Sequence, residues 1–324
     1  LNSFPPGEID TSLKPIVTPF FDEQTNTFSY VVQDPGSDSC VIIDSVMNLD
    51  YASGSISFAG ADQIIAYVTR KKLTVVWVLE THVHADHLSA APYIQQRLGG
   101  KIAIGSDISA VQHVFADIFD AGEGFARDGS QFDVLFEDGD AIAVGGMTGL
   151  ALHTPGHTPA CMSYVFGDAV FVGDTLFMPD GGTARADFPG GDAAALYQSI
   201  QRILALPPEV RLFVCHDYQP NGRELEYETT VAEQQRSNVH VHAGISEGAF
   251  VEMRCARDST LSMPTLILPS LQVNMRAGHF PPATGSGQVF LKIPMNAFGG
   301  SDIAALATGE SPADRRKAGQ RSLE

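Results

Sequence analysis

The stretch LTVVWVLETHVHADH (73–87) constrains this chain more than any other. LTVVWVL is apolar and rich in β-branched residues. At seven residues it suits a buried strand and falls far short of the roughly 18 apolar residues that span a bilayer. A continuous apolar strand belongs in the middle of an α/β sheet covered by helices on its outer side. ADQIIAYVTRKK (61–72) before it and LSAAPYIQQRLGG (88–100) after it have helical apolar spacing. KIAIG (101–105) is then a second short strand and SDISAVQHVFADIF (106–119) a further helix. THVHADH therefore lies just past the C-terminal end of a strand, where α/β architectures place their sites.

The flanking regions extend this pattern. FSYVVQD (28–34) and SCVIIDSV (39–46), joined across PGSD, read as a hairpin. Residues 132–174 are short alternating runs broken by Gly and Asp, which is a meander of strands. DAAALYQSIQRILAL (192–206) returns to a helix, RLFVCHD (211–217) to a strand, and RELEYETTVAEQQRSN (223–238) to a charged, exposed helix. Two halves of this kind suggest two sheets packed face to face with helices outside, over 1–238. Residues 239–300 read as an appendage packed on that domain, with a helix over 246–258 and a Pro-rich stretch over 263–282. Residues 301–324, polar and rich in small residues, are expected to form a disordered tail.

Charge and cysteines narrow the class of function. The net charge of −18 repels phosphate backbones and anionic lipids, so neither nucleic acid nor a membrane is an expected partner. The start, LNSFPPGEID, has neither the basic region nor the apolar core of a secretory signal. Cys40, Cys161, Cys215 and Cys255 are far apart with no CxxC pair, so no disulfide scaffold is implied. A reducing, cytoplasmic setting is the expectation, and a homodimer is the expected assembly.

Ten histidines are present. His113, His240, His242 and His279 read as surface or packing residues, and His153 as structural. THVHADH is different. His82 and His84, two residues apart in an extended loop, project to the same side and can converge on one ion, while Asp86 and His87 turn to a neighbouring position. HTPGHT (153–158) presents His157 on a Pro-Gly turn, FVGD (171–174) ends in Asp174, and RLFVCHD brings His216 to a strand end. Five histidines and two aspartates make a nitrogen and carboxylate ligand set without sulfur, which suits Zn, Fe or Mn.

HxHxDH, then His157, Asp174 and His216 in that order, resembles the metallo-β-lactamase superfamily. The motifs run from 82 to 216 and the flanking elements extend the likeness from about 15 to 238. The resemblance implies a four-layer αββα sandwich with metal at the edge between the sheets. PGHTPACMSY with Cys161, GDTLFMPDGGTARADF with Arg185, Asp187 and Phe188, and LPSLQVNMRAG (268–278) are similar to the persulfide dioxygenases, relatives of glyoxalase II. That branch implies one Fe(II) per chain on the residues matching His82, His157 and Asp174. His84, Asp86, His87 and His216 would then support those ligands. The substrates would be O₂ and a low-molecular-weight thiol persulfide such as glutathione persulfide, and the products sulfite and free thiol. Arg185 is expected as an anion clamp and Tyr218 as a residue beside the open metal positions. Cys161 is expected to be a buried, inert thiol. The alternative is a dinuclear enzyme with two Zn(II), in which the same residues hold a second metal. It would hydrolyse a thioester, lactone or ester in the manner of glyoxalase II or a lactonase.

Overall fold

The period-two alternation of the strands decides which face each residue serves. In the computed structural model, which describes residues 10–298, the first half runs β1 (Ile16–Asp22), β2 (Thr27–Gln33), β3 (Ser39–Ile43), β4 (Val46–Asp50), β5 (Ser55–Ser57), α1 (Ala59–Lys71), β6 (Thr74–Leu79), β7 (Leu88–Ser89), α2 (Ala91–Leu98), β8 (Lys101–Gly105), α3 (Ile108–Ile118) and β9 (Val134–Phe136). The second half runs β10 (Ala141–Val144), β11 (Met147–His153), β12 (Met162–Phe166), β13 (Ala169–Phe171), α4 (Ala193–Leu204), β14 (Arg211–Phe213), β15 (Glu228–Thr230), α5 (Val231–Ser237), α6 (Glu247–Asp258) and α7 (Ile267–Asn274).

Two six-stranded sheets form, in the orders β1-β2-β3-β6-β8-β9 and β10-β11-β12-β13-β14-β15, with β5-β4-β7 as a small third sheet. The hairpin and the meander are as expected: β2 pairs with β3, and β10 to β13 run antiparallel in sequence order. On β2 and β3, Phe28, Tyr30, Val32, Val41 and Ile43 point between the sheets and meet Tyr164, Phe166, Phe171 and Phe213. The opposite residues, Val31 and Ile42, join Val78 and Ile102 against α1, α2 and α3. The second sheet likewise turns Leu152, Val170 and Leu212 outward against Leu196 and Ile200 of α4 and Phe250 of α6. Helices outside and two sheets inside make the αββα sandwich.

The chain after 238 is built into both outer layers. α6 packs on α4, and Leu271 and Val273 of α7 join the helical layer of the first sheet. The Pro-rich stretch thus contains a helix that its composition hid. Pro269 sits in the first turn of α7, where its missing N–H has no intrahelical partner to lose. The helix expected over 223–238 is a second correction. Only Val231–Ser237 is helical, preceded by β15, because the Thr230 side chain caps the helix by accepting the Glu233 N–H. The expected tail over 301–324 lies outside the described residues. Among the described residues, no helix is long and apolar enough to cross a membrane.

Candidate metal centre

Every expected ligand arrives from a strand end at one edge of the sandwich. THVHADH follows β6, His157 sits between β11 and β12, Asp174 follows β13 and His216 follows β14. Ligand atoms of His82, His157 and Asp174 lie within 4.8 Å of one another, and so do those of His84, His87, Cys215 and His216. Asp174 stands between the two sets, with Oδ2 3.6 Å from His157 Nε2 and Oδ1 3.3 Å from His216 Nε2. Asp86 Oδ2 lies 3.2 Å from the same His216 nitrogen.

Hydrogen bonds at the far side of each ring decide which nitrogen faces inward. The assignments follow from the network of partners. His157 Nδ1 donates to the Arg185 carbonyl at 2.7 Å. His82 Nδ1 donates to Thr81 Oγ1 at 3.0 Å, and that hydroxyl donates onward to Asp44 at 2.9 Å. His216 Nδ1 donates to the Asn26 carbonyl at 3.2 Å. In His157 and His82, Nε2 is left with its lone pair toward the site, and His216 Nε2 faces Asp86 and Asp174. His84 is held the other way round: Nε2 donates to Asp44 at 3.0 Å and lies 3.4 Å from Glu80.

The inward atoms test whether a metal fits. His82 Nε2, His84 Nδ1, both nitrogens of His87, Asp86 Oδ2, Asp174 Oδ1 and His216 Nε2 are buried and make no hydrogen bond among the described residues. Each such orphan costs about 1–3 kcal/mol. A cation shared between them removes that cost, and imidazole with carboxylate suits iron or zinc. The residues therefore fit a metal.

Electrostatics at His82, His87 and Asp174 agree with that fit. Burial, reinforced by neighbouring His84, holds His82 well below the usual histidine range, and burial takes His87 down to about 3, so both offer neutral nitrogens. Burial opposes ionisation of Asp174, but His216, His82 and His157 outweigh it and keep the carboxyl well below its ordinary value. His216 is likewise penalised by burial, yet Asp86 and Asp174 push it up to about 9. At His84 the attraction of Asp44 and Glu80 overcomes burial and favours the protonated ring.

The turn carrying His157 shows why its sequence is PGH. Gly156 has φ +139°, and a Cβ there would lie 2.3 Å from the backbone of Leu196 in α4. Its carbonyl accepts the Asp192 N–H at 2.8 Å, so the turn sits directly on the helix start. Gly156→Ala is expected to cost on the order of 1–3 kcal/mol in backbone strain. At about 2–4 °C per kcal/mol, thermal melting should show a drop of several degrees. An unchanged melting point would mean that the helix yields freely.

A cavity of about 590 Å³ opens beside the triad and is lined by His157, Asp174, Phe177, Phe188 and Tyr218, with Arg185, Arg254 and Arg257 farther along. Tyr218 is 57% exposed and stacks on the His216 ring at 5.9 Å. Arg185 departs from its expected role as an anion clamp. Its fork is spent on Asp187 at 2.6 and 2.8 Å and on the Ser262 carbonyl at 2.7 Å, so its charge is already balanced. Its backbone carbonyl, instead, orients His157. Cys161 is buried and burial pushes its thiol up to about 12, consistent with an inert residue. His153 bonds the Pro159 carbonyl and His113 the Ser109 carbonyl, both away from the site.

Three supporting residues carried no role in the sequence reading. Asp44 and Glu80 hold His84. Asn274 of α7 donates to the carbonyls of His84 at 2.9 Å and His87 at 2.7 Å, and accepts the Ser89 N–H at 2.8 Å. Asp44 follows the strand SCVII much as Asp174 follows a strand, and that was its available signal.

The Metallo-beta-lactamase superfamily model matches residues 23–216, which takes in every ligand named above. The chain belongs to this superfamily. It is 57% identical to a probable metallo-hydrolase of Burkholderia pseudomallei, over 86% of this chain and 98% of that one. It is 50% identical to a beta-lactamase hydrolase-like protein of Xylella fastidiosa over 89% of its own length, and spans 66% of that longer relative. The human mitochondrial persulfide dioxygenase ETHE1 is 28% identical over 80% of this chain and 87% of its own. The crystal structure of ETHE1 from Myxococcus xanthus aligns with a TM-score of 0.65 at 30% identity, covering 82% of this chain and all of that one. The chain is a superfamily member whose clustered His and Asp residues fit a metal, and its relatives include both a named metallo-hydrolase and a named persulfide dioxygenase.

Proposed function

We propose that this protein is a non-haem iron persulfide dioxygenase acting on a low-molecular-weight thiol persulfide. The carrying observation is that ligand atoms of His82, His157 and Asp174 gather within 4.8 Å of one another. They offer two nitrogens and one carboxylate, and His157 and Asp174 of this cluster line the cavity. Two histidines and one carboxylate on one face are the ligand pattern of iron oxygenases with open positions. The similarity to ETHE1 of Myxococcus xanthus, along that chain's whole length, supports the same reading.

In the reaction RSSH + O₂ + H₂O gives RSH + H₂SO₃. The outer sulfur loses four electrons to O₂ and leaves as sulfite, and the inner sulfur leaves as thiol. His82, His157 and Asp174 would hold the iron, which would supply the redox chemistry when bound. The chain's own residues position the partners. Phe177 and Phe188 wall the sulfur end of the cavity, Tyr218 borders it, and the bonds from Arg185 and Thr81 fix the rings of His157 and His82. Four unpaired thiols, Cys40, Cys161, Cys215 and Cys255, support a reducing, cytoplasmic setting. The net charge of −18 supports small-molecule rather than nucleic-acid or membrane partners.

A second reading has its own observation. Asp174 lies between two clusters, as a carboxylate bridging two zinc ions would, and the relative in Burkholderia pseudomallei is named a metallo-hydrolase. Metal analysis paired with oxygen uptake separates the two. The dioxygenase should carry about one iron per chain and consume one O₂ per sulfite formed. Two tightly held zinc ions, with activity restored by zinc alone and no oxygen consumed, would sink the iron reading in favour of the hydrolase.

A further inference from the structure

The cavity carries a charge pattern at odds with the rest of the molecule. The chain has 38 acidic and 20 basic residues, yet among the described residues the only carboxylates lining the cavity, Asp86 and Asp174, sit at the metal site, and three arginines line the remainder. Two of these are balanced. Arg185 is paired with Asp187, and buried Arg254 with Asp258 at 2.6 Å. Arg257 is exposed, its backbone carbonyl accepts from Thr260, and among the described residues its guanidinium has no ion-pair or hydrogen-bond partner.

From this placement we infer that Arg257 is a specificity-determining residue that binds a carboxylate on the persulfide's carrier thiol. The inference deepens the dioxygenase reading and takes its substrate class from it. Arg254 and Arg257 lie three apart on α6 and so share a face of that helix. Arg254 turns inward and ties the helix to the Thr183 carbonyl at 3.1 Å. Its neighbour is thereby held at the cavity wall with its fork unspent. A planar guanidinium matches a planar carboxylate through two parallel hydrogen bonds. One uncompensated positive charge suits one monoanionic group and not a polyphosphate. A cavity of about 590 Å³ suits a carrier of tripeptide size. The simpler role for a basic residue in the last turn of a helix is to offset the helix dipole. That role makes no distinction between charged and uncharged substrates, and lysine fills it as well as arginine.

The test uses the iron-loaded full chain and its R257Q and R257K variants, with thermal melting to confirm folding. Oxygen uptake is measured with glutathione persulfide and with the persulfide of glutathione diethyl ester, which lacks both carboxylates. The quantity of interest is the ratio of kcat/KM for acid over ester. R257Q should lower it about ten- to a hundred-fold, the range expected from losing one charge-assisted hydrogen-bonded pair, and R257K should recover only part. An unchanged ratio, or complete recovery by lysine, overturns the bidentate role. Calorimetric binding of glutathione and its diethyl ester, as plain thiols, keeps the two claims apart. Absence of oxygen uptake by the wild type on either persulfide would end the dioxygenase reading. Selective loss of glutathione binding in R257Q would still support the carboxylate site, and equal binding by wild type and R257Q would overturn it.

Discussion

Asp174→Asn protein is expected to emerge with little or no bound iron and no measurable persulfide oxidation. The substitution keeps the shape of the side chain and removes the one anion of the triad. Burial opposes ionisation of Asp174, but His216, His82 and His157 hold its carboxyl well below the ordinary value, so its charge is available to a cation. Removing a residue that only supports a ligand already costs about 10–100-fold in metal affinity; removing the carboxylate itself should cost more. Thermal melting of the metal-free proteins guards against a trivial loss of folding. A folded Asp174→Asn variant that retains one equivalent of iron would show that the ligand assignment is wrong. His84 offers the internal contrast. Its Nε2 is committed to Asp44, so in the mononuclear enzyme its loss should disturb the loop more than the iron count.

The ligands were legible in the sequence because each is a reactive residue type placed where a strand ends, and the order of the motifs supplied the rest. Their supports were less visible. Asp44 reaches Thr81 and His84 only because β3 lies beside β6 in the sheet, and sheet order is not written in a local pattern. The misplacement of Arg185 was avoidable. Asp187 is two residues away, and in extended chain that spacing puts both side chains on one side. The same holds for the helix drawn over 223–238. Thr230 and Glu233 form the T-x-x-E signature of a helix start, which places the boundary seven residues further on. Arg257 was invisible for a different reason. Its interest lies in having no partner, and a sequence does not show which charges go unpaired.

Asn274→Ala should be the most damaging change outside the ligands. Asn274 is buried, belongs to the C-terminal helix, and joins no ligand set. Even so, its amide holds the carbonyls of both His84 and His87, and its oxygen holds the Ser89 N–H. Alanine leaves three buried backbone groups without partners, at about 1–3 kcal/mol each. With about 2–4 °C per kcal/mol, the melting temperature should fall by on the order of 10 °C. Iron affinity should weaken by roughly 10–100-fold as the HxHxDH loop loosens. Asn274→Asp separates hydrogen bonding from packing. The aspartate has nearly the same volume and can still accept from Ser89, but it turns a carboxylate oxygen toward two carbonyls in place of the donating amide. If the residue serves only to fill space, Asp is tolerated and Ala is not. If the two donated bonds matter, Asp should be at least as harmful as Ala in both melting and iron retention. That result would also show that the segment LPSLQVNMRAG supports the metal motifs although it lies some 190 residues away from them.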